Sequence, residues 1–148
     1  MPDFSHLDSA GSARMVDVGA KQPMHRRATA ECRVVCAAET IRALRERALP
    51  KGDVLTVAKV AAIQAAKRCD ELIPLCHSLP LDAVDVTFDV QDTAIQIRAT
   101  ASTTARTGVE MEALTAASIA ALTIYDMCKA VDKAMVVTDL RVVEKVKE

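Results

Sequence analysis

A chain of 148 residues is long enough for one domain with a buried core and short for two. Its formal net charge of −1 excludes the overall basic field by which proteins attract nucleic acids or membrane surfaces, so any anion binding must be local. Hydrophobic residues make up 51% of the chain but aromatic residues only 2%, so the core must consist of small aliphatic side chains. Helices of small residues pack closely, which favours a homo-oligomer.

The five cysteines carry no motif of a metal cluster or a disulfide framework. They form no CxxC pair, and no CxxxCxxC run exists to hold an iron–sulfur cluster. The chain starts without a positively charged leader and apolar run, and no segment approaches a membrane span of about 18 uncharged apolar residues. We therefore expect a reduced, cytoplasmic protein with structural thiols, no metal site and no cofactor.

The N-terminal segment divides into an arm and a cationic cluster. Residues 1–14 are rich in Ser, Asp and Gly, which predicts a mobile arm ahead of a single domain at 15–148. The KQPMHRR segment places Lys21 and Arg26 close together around Pro23, on a predicted loop. Such a cluster either clamps phosphates by charge-assisted hydrogen bonds or is simply a solvated turn.

Alternating apolar residues then predict the first strand, at 28–37. A short basic helix follows at 40–48 and ends before Pro50. The face of the strand that we expect to be buried carries Ala28, Ala30, Cys32, Val34 and Cys36.

The next segment is an Ala-rich helix that Asp53 is placed to cap. Lys51, just ahead of that cap, is either a proton donor or base, or an ordinary exposed lysine of a loop. Lys67, near the other end of the helix, suits the helix dipole. The apolar face of this helix is predicted to consist of Val54, Val57, Ala58, Ala61, Ala62 and Ala65.

The ELIPLCHSLPL stretch after this helix is a stiff apolar loop. Pro74 and Pro80 flank Cys76 and His77, and proline restricts the backbone on both sides. His77 is therefore held in place. A histidine held in this way is either a satisfied core residue or a contact to a ligand.

The second half of the chain supplies two more strands, a long helix and a last strand. Residues 82–90 and 95–101 alternate as a hairpin, 107–133 predicts one helix of about 20 residues, and 134–143 forms the last strand. The order fits an α+β protein of ferredoxin-like fold, an antiparallel sheet with helices packed on one face. The opposite face of the sheet is either solvated or covered by another subunit.

The 107–133 helix places ionisable groups along one broad stripe. Asp126 and Lys129, three residues apart among apolar neighbours, are expected to be buried and used in chemistry; the alternative is an ion pair on the helix surface. Glu112 precedes Asp126 by 14 residues, or about 21 Å along a helix. The two carboxylates therefore contact different ends of a substrate, or helices from two chains meet.

Four stretches resemble one family in particular. MVDV with the following Lys21, KGDV at Lys51, AAKRCDELIPLCHSLPL, and RTGVEMEALTAASIAALTIYDMCKAVDK are similar to the cyclic pyranopterin monophosphate synthases of molybdenum cofactor biosynthesis. The likeness runs from about His6 to Met135. It implies a lyase that converts (8S)-3′,8-cyclo-7,8-dihydroguanosine 5′-triphosphate, here called cyclised dihydro-GTP, to cyclic pyranopterin monophosphate plus diphosphate.

The same resemblance implies an assembly and a set of site residues. The subunit would belong to a homohexamer, a trimer of dimers with active sites at the dimer interface, and an upstream radical enzyme would supply its substrate. Two departures, His77-Ser78 for His-Pro and Ala105-Arg106 for Gly-Lys, remove no matched functional side chain. The implied roles are catalytic for Asp126, Lys129 and Lys51, substrate-binding for Leu75, Cys76, His77, Met111 and Glu112, and triphosphate-binding for Lys21, Arg26 and Lys67.

The chemistry of these residues agrees with the resemblance, because lysines and a carboxylate suit the proton transfers that rebuild a purine into a pterin. Whether Lys51 and Asp126 come from one subunit or from two stays open at this point. A ferredoxin-like module that senses a nucleotide without catalysis is one alternative, and a purely structural oligomer is another. The sensor predicts ligand-stabilised melting without product, and the scaffold predicts neither.

Overall fold

The computed structural model describes residues 4–148, so the first three residues of the predicted arm lie outside the described part of the chain. The elements follow the predicted order, except that a short helix at Cys69–Leu72 was not predicted. The long helix of about 20 residues is observed with 19. In sequence they are β1 (Met24–Val35), α1 (Ala38–Arg45), α2 (Val54–Lys67), α3 (Cys69–Leu72), β2 (Leu81–Val90), β3 (Ala94–Ala105), α4 (Glu110–Cys128) and β4 (Val136–Lys147).

The four strands form one antiparallel sheet in the order β2-β3-β1-β4. Together with the order of helices along the chain, this is the predicted ferredoxin-like arrangement. Alternation along β1 and β3 turns small side chains such as Ala28, Ala30, Ile97 and Ala99 into the core, where each is fully buried. The predicted hairpin of β2 and β3 and the predicted buried face of the first strand are thus confirmed.

β1 begins earlier than the sequence pattern suggested. Met24 and Arg26 were assigned to a cationic loop, but both belong to the strand, where Met24 pairs with Ala105. Arg26 lies in phase with the core-facing Ala28 and is itself buried. The long β3 strand offers these residues a partner for their backbone groups, so a charged stretch still forms a strand. Lys21 remains in the turn before β1.

The two Ala-rich helices, α2 and α4, pack against each other and the sheet. Asp53 caps α2 as predicted, because its Oδ1 accepts the Thr56 backbone N–H at 3.3 Å. Ala58 and Ala62 of α2 are buried, as is Ala117 of α4. Small side chains allow the backbones to approach closely, and this close packing replaces the large aromatic side chains that the core lacks.

The polar stripe of α4 is buried at its N-terminal end and exposed at its C-terminal end. Glu112 is 3% exposed, whereas the side chain of Asp126 is 58% exposed. The two residues lie within about 40° of the same side of the helix. The segment between α3 and β2 covers Glu112, where the Cys76 thiol contacts it. Asp126 is paired with two exposed lysines instead.

Just beyond α4, Asp132 connects this helix to the start of α1. Its Oδ2 accepts the Ala37 backbone N–H and the Thr40 hydroxyl, each at 2.9 Å, and its Oδ1 accepts the Ala134 N–H at 3.1 Å. Burial by itself raises the pKa of Asp132, but these three hydrogen bonds hold it below its ordinary value. Asp132 is therefore a satisfied structural carboxylate.

The described part of the arm, residues 4–14, forms a turn closed on itself. Leu7 and Ala13 make an isolated bridge, and Asp8 Oδ1 accepts the backbone N–H groups of Ala10 and Ser12. The mobility of the arm stays a prediction. Within residues 4–148, no helix combines the length and the apolar composition that crossing a membrane requires.

Candidate active site

A cavity of about 340 Å³ lies at the N-terminal end of α4. Its volume falls within the range of sites for small molecules. The segment between α3 and β2 forms one wall, and the first turn of α4 forms another. The sequence resemblance predicts five residues that contact the part of the substrate outside its triphosphate. The cavity brings all five together: Leu75, Cys76, His77, Met111 and Glu112.

Glu112 is a buried titratable group in the wall of this cavity. Its Oε1 accepts the Cys76 thiol at 3.5 Å, and its Oε2 is buried with no hydrogen-bond partner anywhere in residues 4–148. Burial raises the pKa of the Glu112 carboxyl, because an ionised carboxylate loses its hydration there. A buried acid with an unused acceptor atom is suited to bind a donor group on a ligand.

His77 is fixed at the boundary between this cavity and a neighbouring one of about 330 Å³. Its Nε2–H donates to the Val16 carbonyl oxygen at 2.6 Å. With Nε2 as the donor, the neutral ring keeps Nδ1 free to accept a hydrogen bond. The ring lines two cavities, which favours a contact to a ligand over a role as a satisfied core residue; that role stays a prediction.

Lys51, Asp126 and Lys129 meet at the other end of α4. Asp126 Oδ2 lies 3.1 Å from Lys51 Nζ, and Asp126 Oδ1 lies 3.0 Å from Lys129 Nζ. Lys51 Nζ also donates to the backbone carbonyl of Asp126 at 3.1 Å. Gly52, with φ of 93°, lets the chain turn sharply between Lys51 and the start of α2. We call these three residues the amine cluster.

The amine cluster is exposed, so the expectation that Asp126 and Lys129 are buried is wrong for the single chain. At the last turn of α4, Ile124 and Met127 face the core, and Asp126 and Lys129 lie on the opposite side. Hydrogen bonds from Lys129 and Lys51 hold the pKa of the Asp126 carboxyl below its ordinary value. Exposed ion pairs contribute little to folding stability. Two ammonium groups on one carboxylate leave a net positive charge.

The cavity and the amine cluster are far apart within one chain. Glu112 and Asp126 are separated by 14 residues of one continuous helix, or about 21 Å. A purine-sized ring seated in the cavity therefore lies beyond the reach of the same chain's amine cluster. By contrast, Lys51 and Asp126 are already paired within a single chain, so that pair is not divided between subunits.

The three cations assigned to the triphosphate differ in their exposure in the single chain. Lys21 is exposed in the turn before β1, and Lys67 is exposed at the end of α2. Arg26 is buried, and its Nη2 donates to the Arg106 carbonyl oxygen at 3.5 Å. Arg26 Nε has no hydrogen-bond partner among the described residues. Their role in binding phosphates stays a prediction.

Sequence reasoning missed several residues of this region, among them His6 and Cys69. His6, from the predicted arm, lines the cavity, and Cys69 Sγ lies 3.7 Å from Cys76 Sγ. The spacing of Cys69 and Cys76 matches no known motif, because only the fold of α3 and the following loop brings them together. The core thiols Cys32 and Cys36 behave as predicted, since burial raises the pKa of each to about 11 and keeps it protonated.

The fold and the cavity together describe an α+β protein with a cavity of a size that suits a small molecule. Comparison with known families makes this specific: the MoaC family model matches residues 15–147. The chain therefore belongs to the MoaC family. The resemblance seen in its sequence motifs is confirmed.

Two curated relatives are called cyclic pyranopterin monophosphate synthase. The protein of Novosphingobium aromaticivorans is 56% identical over 145 residues, covering 98% of this chain and 92% of the relative. That of Chloroflexus aurantiacus is 57% identical over 145 residues, covering 97% and 89%. A molybdenum cofactor biosynthesis bifunctional protein of Chlorobaculum tepidum is 54% identical over 143 residues, and the match covers 97% of this chain and 46% of that longer protein.

Proposed function

We propose that this chain is a cyclic pyranopterin monophosphate synthase, a lyase that converts cyclised dihydro-GTP into cyclic pyranopterin monophosphate and diphosphate. The family and the names of the relatives support this activity. The observation that carries the proposal is the two-part site on α4, a ring-sized cavity at one end and the amine cluster at the other.

In this proposal the cavity holds the ring system of the substrate. Leu75 and Met111 supply apolar surface, and Glu112 accepts hydrogen bonds from the N–H groups of the guanine-derived ring. A hydrogen bond to a charged acceptor in a dry site is worth more than one in water. Oε2 of Glu112 has no hydrogen-bond partner among the described residues. An N–H group of the ring that donates to this oxygen would satisfy it.

The amine cluster supplies proton transfer. Opening the purine and closing the pterin require protons to be delivered and removed at several atoms, and a lysine can do either. Asp126 holds Lys51 and Lys129 through separate carboxylate oxygens, so both amines are oriented toward one region. The residual positive charge also favours an anionic substrate.

Cations must balance the charge that develops when diphosphate leaves. Closing a cyclic phosphate places negative charge on the departing group, and fixed cations lower the energy of that transition state. We assign this role to Lys21, Arg26 and Lys67, brought together from neighbouring subunits. Arg26 is the least exposed of the three, and its unpaired Nε offers a donor for a phosphate oxygen.

A complete site then requires a second chain, because one chain cannot bring its cavity and its amine cluster together. We infer a homohexamer, a trimer of dimers, with each site at a dimer interface. Exposed apolar side chains on the edge strand β4 and the outer helix faces support association, since such residues mark contact surfaces. They include Val136, Val137, Leu140, Val142 and Val143 on the strand, and Val57, Val60 and Leu122 on the helices.

Incubation of the full chain with cyclised dihydro-GTP, made by the upstream radical enzyme, tests the proposal. We expect diphosphate and cyclic pyranopterin monophosphate to appear in equal amounts, and Lys129→Ala to abolish both. If the substrate raised the melting temperature but no product formed, the chain would be a nucleotide-sensing module and not an enzyme. If the substrate neither stabilised the protein nor gave product, the purely structural oligomer would be the remaining interpretation. The supply of substrate by a radical enzyme and the cytoplasmic location stay predictions.

A further inference from the structure

Cys69, Cys76 and Glu112 form a compact set of donor atoms behind the cavity wall. The Cys69 and Cys76 Sγ atoms lie 3.7 Å apart, and Cys76 Sγ lies 3.5 Å from Glu112 Oε1. All three donor atoms fall within 4.8 Å of one another. Each comes from a different element: α3, the loop that follows it, and the first turn of α4.

These separations match those around a tetrahedral zinc ion. Zinc binds thiolate sulfur at about 2.3 Å and carboxylate oxygen at about 2.0 Å. At tetrahedral angles these bond lengths place two sulfurs about 3.8 Å apart and a sulfur and an oxygen about 3.5 Å apart. The observed distances therefore need little adjustment to accept an ion between the three atoms.

The burial of Glu112 also shows that the carboxylate of this cluster has acceptor capacity to spare. Glu112 is 3% exposed, and its Oε2 has no hydrogen-bond partner within residues 4–148. Buried polar atoms in native proteins are nearly always satisfied, so one left over in a donor cluster calls for a ligand. A cation at Oε1, the oxygen 3.5 Å from Cys76 Sγ, binds the carboxylate and leaves Oε2 for the ring of the proposed substrate.

From this geometry we propose that Cys69, Cys76 and Glu112 form a binding site for a thiophilic divalent cation of the zinc class. The three residues supply three ligands, and the fourth position faces the cavity that Cys76 and Glu112 also line. The site does not depend on the proposed reaction, because the binding of the ion is measured without turnover. Cys69 does not line the cavity, so its only proposed role is to bind the metal.

Cobalt is the spectroscopic probe for this site, since bonds from thiolate to cobalt give an intense ultraviolet charge-transfer band. We would titrate the full chain with Co²⁺ under a reductant that contains no thiol, and then displace Co²⁺ with Zn²⁺. Cys69→Ser keeps the side chain about the same size and offers a hydroxyl to Thr115, whose Oγ1 lies 3.4 Å from Cys69 Sγ. Cys36→Ala is the matched control, a buried core cysteine outside the cluster.

We expect one equivalent of Co²⁺ per chain with a charge-transfer band that Zn²⁺ abolishes. Cys69→Ser should weaken binding at least about 100-fold, since outer-shell changes alone cost 10- to 100-fold, while Cys36→Ala should bind as the unaltered chain does. Absence of the band, or an equal band in Cys69→Ser, would overturn the proposal. Loss of two thiols without retained metal would identify a disulfide instead and would also overturn it.

Discussion

The two ends of α4 carry acidic residues on the same side of one helix but in opposite environments. Glu112 is buried with an unsatisfied oxygen and a raised pKa, whereas Asp126 is exposed, paired with two lysines, and has a lowered pKa. The helix itself does not produce the difference, because the two positions lie within about 40° of each other around its axis. The segments that cover each end decide which carboxylate is buried beside the cavity and which one holds amines.

The largest expected effect concerns the amines. Arginine keeps the positive charge of Lys51 or Lys129 but cannot exchange a proton near neutral pH. We expect Lys51→Arg and Lys129→Arg to fold and bind substrate while kcat falls by about two orders of magnitude or more, the scale for loss of a general acid or base. Steady-state kinetics of diphosphate release measures this.

Lys59→Arg is the matched control for these variants, because Lys59 is also an exposed lysine paired with an aspartate, Asp85, at 3.6 Å. It should retain the wild-type kcat. If Arg at both Lys51 and Lys129 also left kcat near wild type, the amine cluster would act only as fixed charge.

The second effect concerns stability near the C-terminal end of α4. Asp132→Ala removes the acceptor for Ala37, Thr40 and Ala134, and we expect a loss of about 3 kcal/mol in the free energy of unfolding, since each stranded donor costs about 1–3 kcal/mol. Denaturant unfolding measures it. Because the folded pKa of Asp132 is lowered, its contribution is present above the ordinary value of 3.8 and is lost as the pH falls through the folded pKa. A pH-independent loss would contradict this assignment.

The third effect concerns the cavity. His77→Ala removes a proposed substrate contact. A contact made equally in the ground and transition states acts on binding alone, so KM should rise about tenfold while kcat changes little. Arg26→Ala should raise KM as well but also lower the melting temperature, because Arg26 is buried. A large fall in kcat at unchanged KM for both variants would show that neither residue is a binding contact.

The smallest expected effect tests the buried acid. The folded pKa of Glu112 lies above its ordinary value of 4.5, so the native state is most favoured below that value and loses stability as the pH rises through the folded pKa. Glu112→Gln removes this loss. We expect a gain in the free energy of unfolding at neutral pH that vanishes below pH 4.5. Equal stability of the two proteins at every pH would show that Glu112 is not strained by burial.

The fold and the cavity were largely predictable from the sequence. Alternation along β1 and β3 has a period of two residues, and the Ala-rich stripes of the helices have a period of 3.6 residues. Asp53 marks where α2 begins. The order of these strands and helices along the chain indicates the fold. Motif resemblance named the five cavity residues that the structure brings together. These features depend on residues that are close in the sequence or matched to a family pattern.

What could not be predicted depends on contacts between distant segments. The burial of Arg26 follows from its pairing opposite Thr103 in β3, and the exposure of Asp126 follows from which segments cover α4. The approach of Cys69 to Cys76 follows from the turn between α3 and its loop. No period or motif in the sequence encodes these three facts, since each is set by tertiary packing.

The central claim is that the cavity of one chain works with the amine cluster of another. The most direct measurement mixes two inactive variants, Glu112→Ala and Lys129→Ala, under conditions of verified subunit exchange, and follows diphosphate release. Random mixing in a two-fold interface joins an intact cavity to an intact amine cluster in about one quarter of the sites, so about one quarter of wild-type activity should return. A mixture of Lys51→Ala and Lys129→Ala, altered in the same cluster, should stay inactive. Continued inactivity of the first mixture would contradict a shared site.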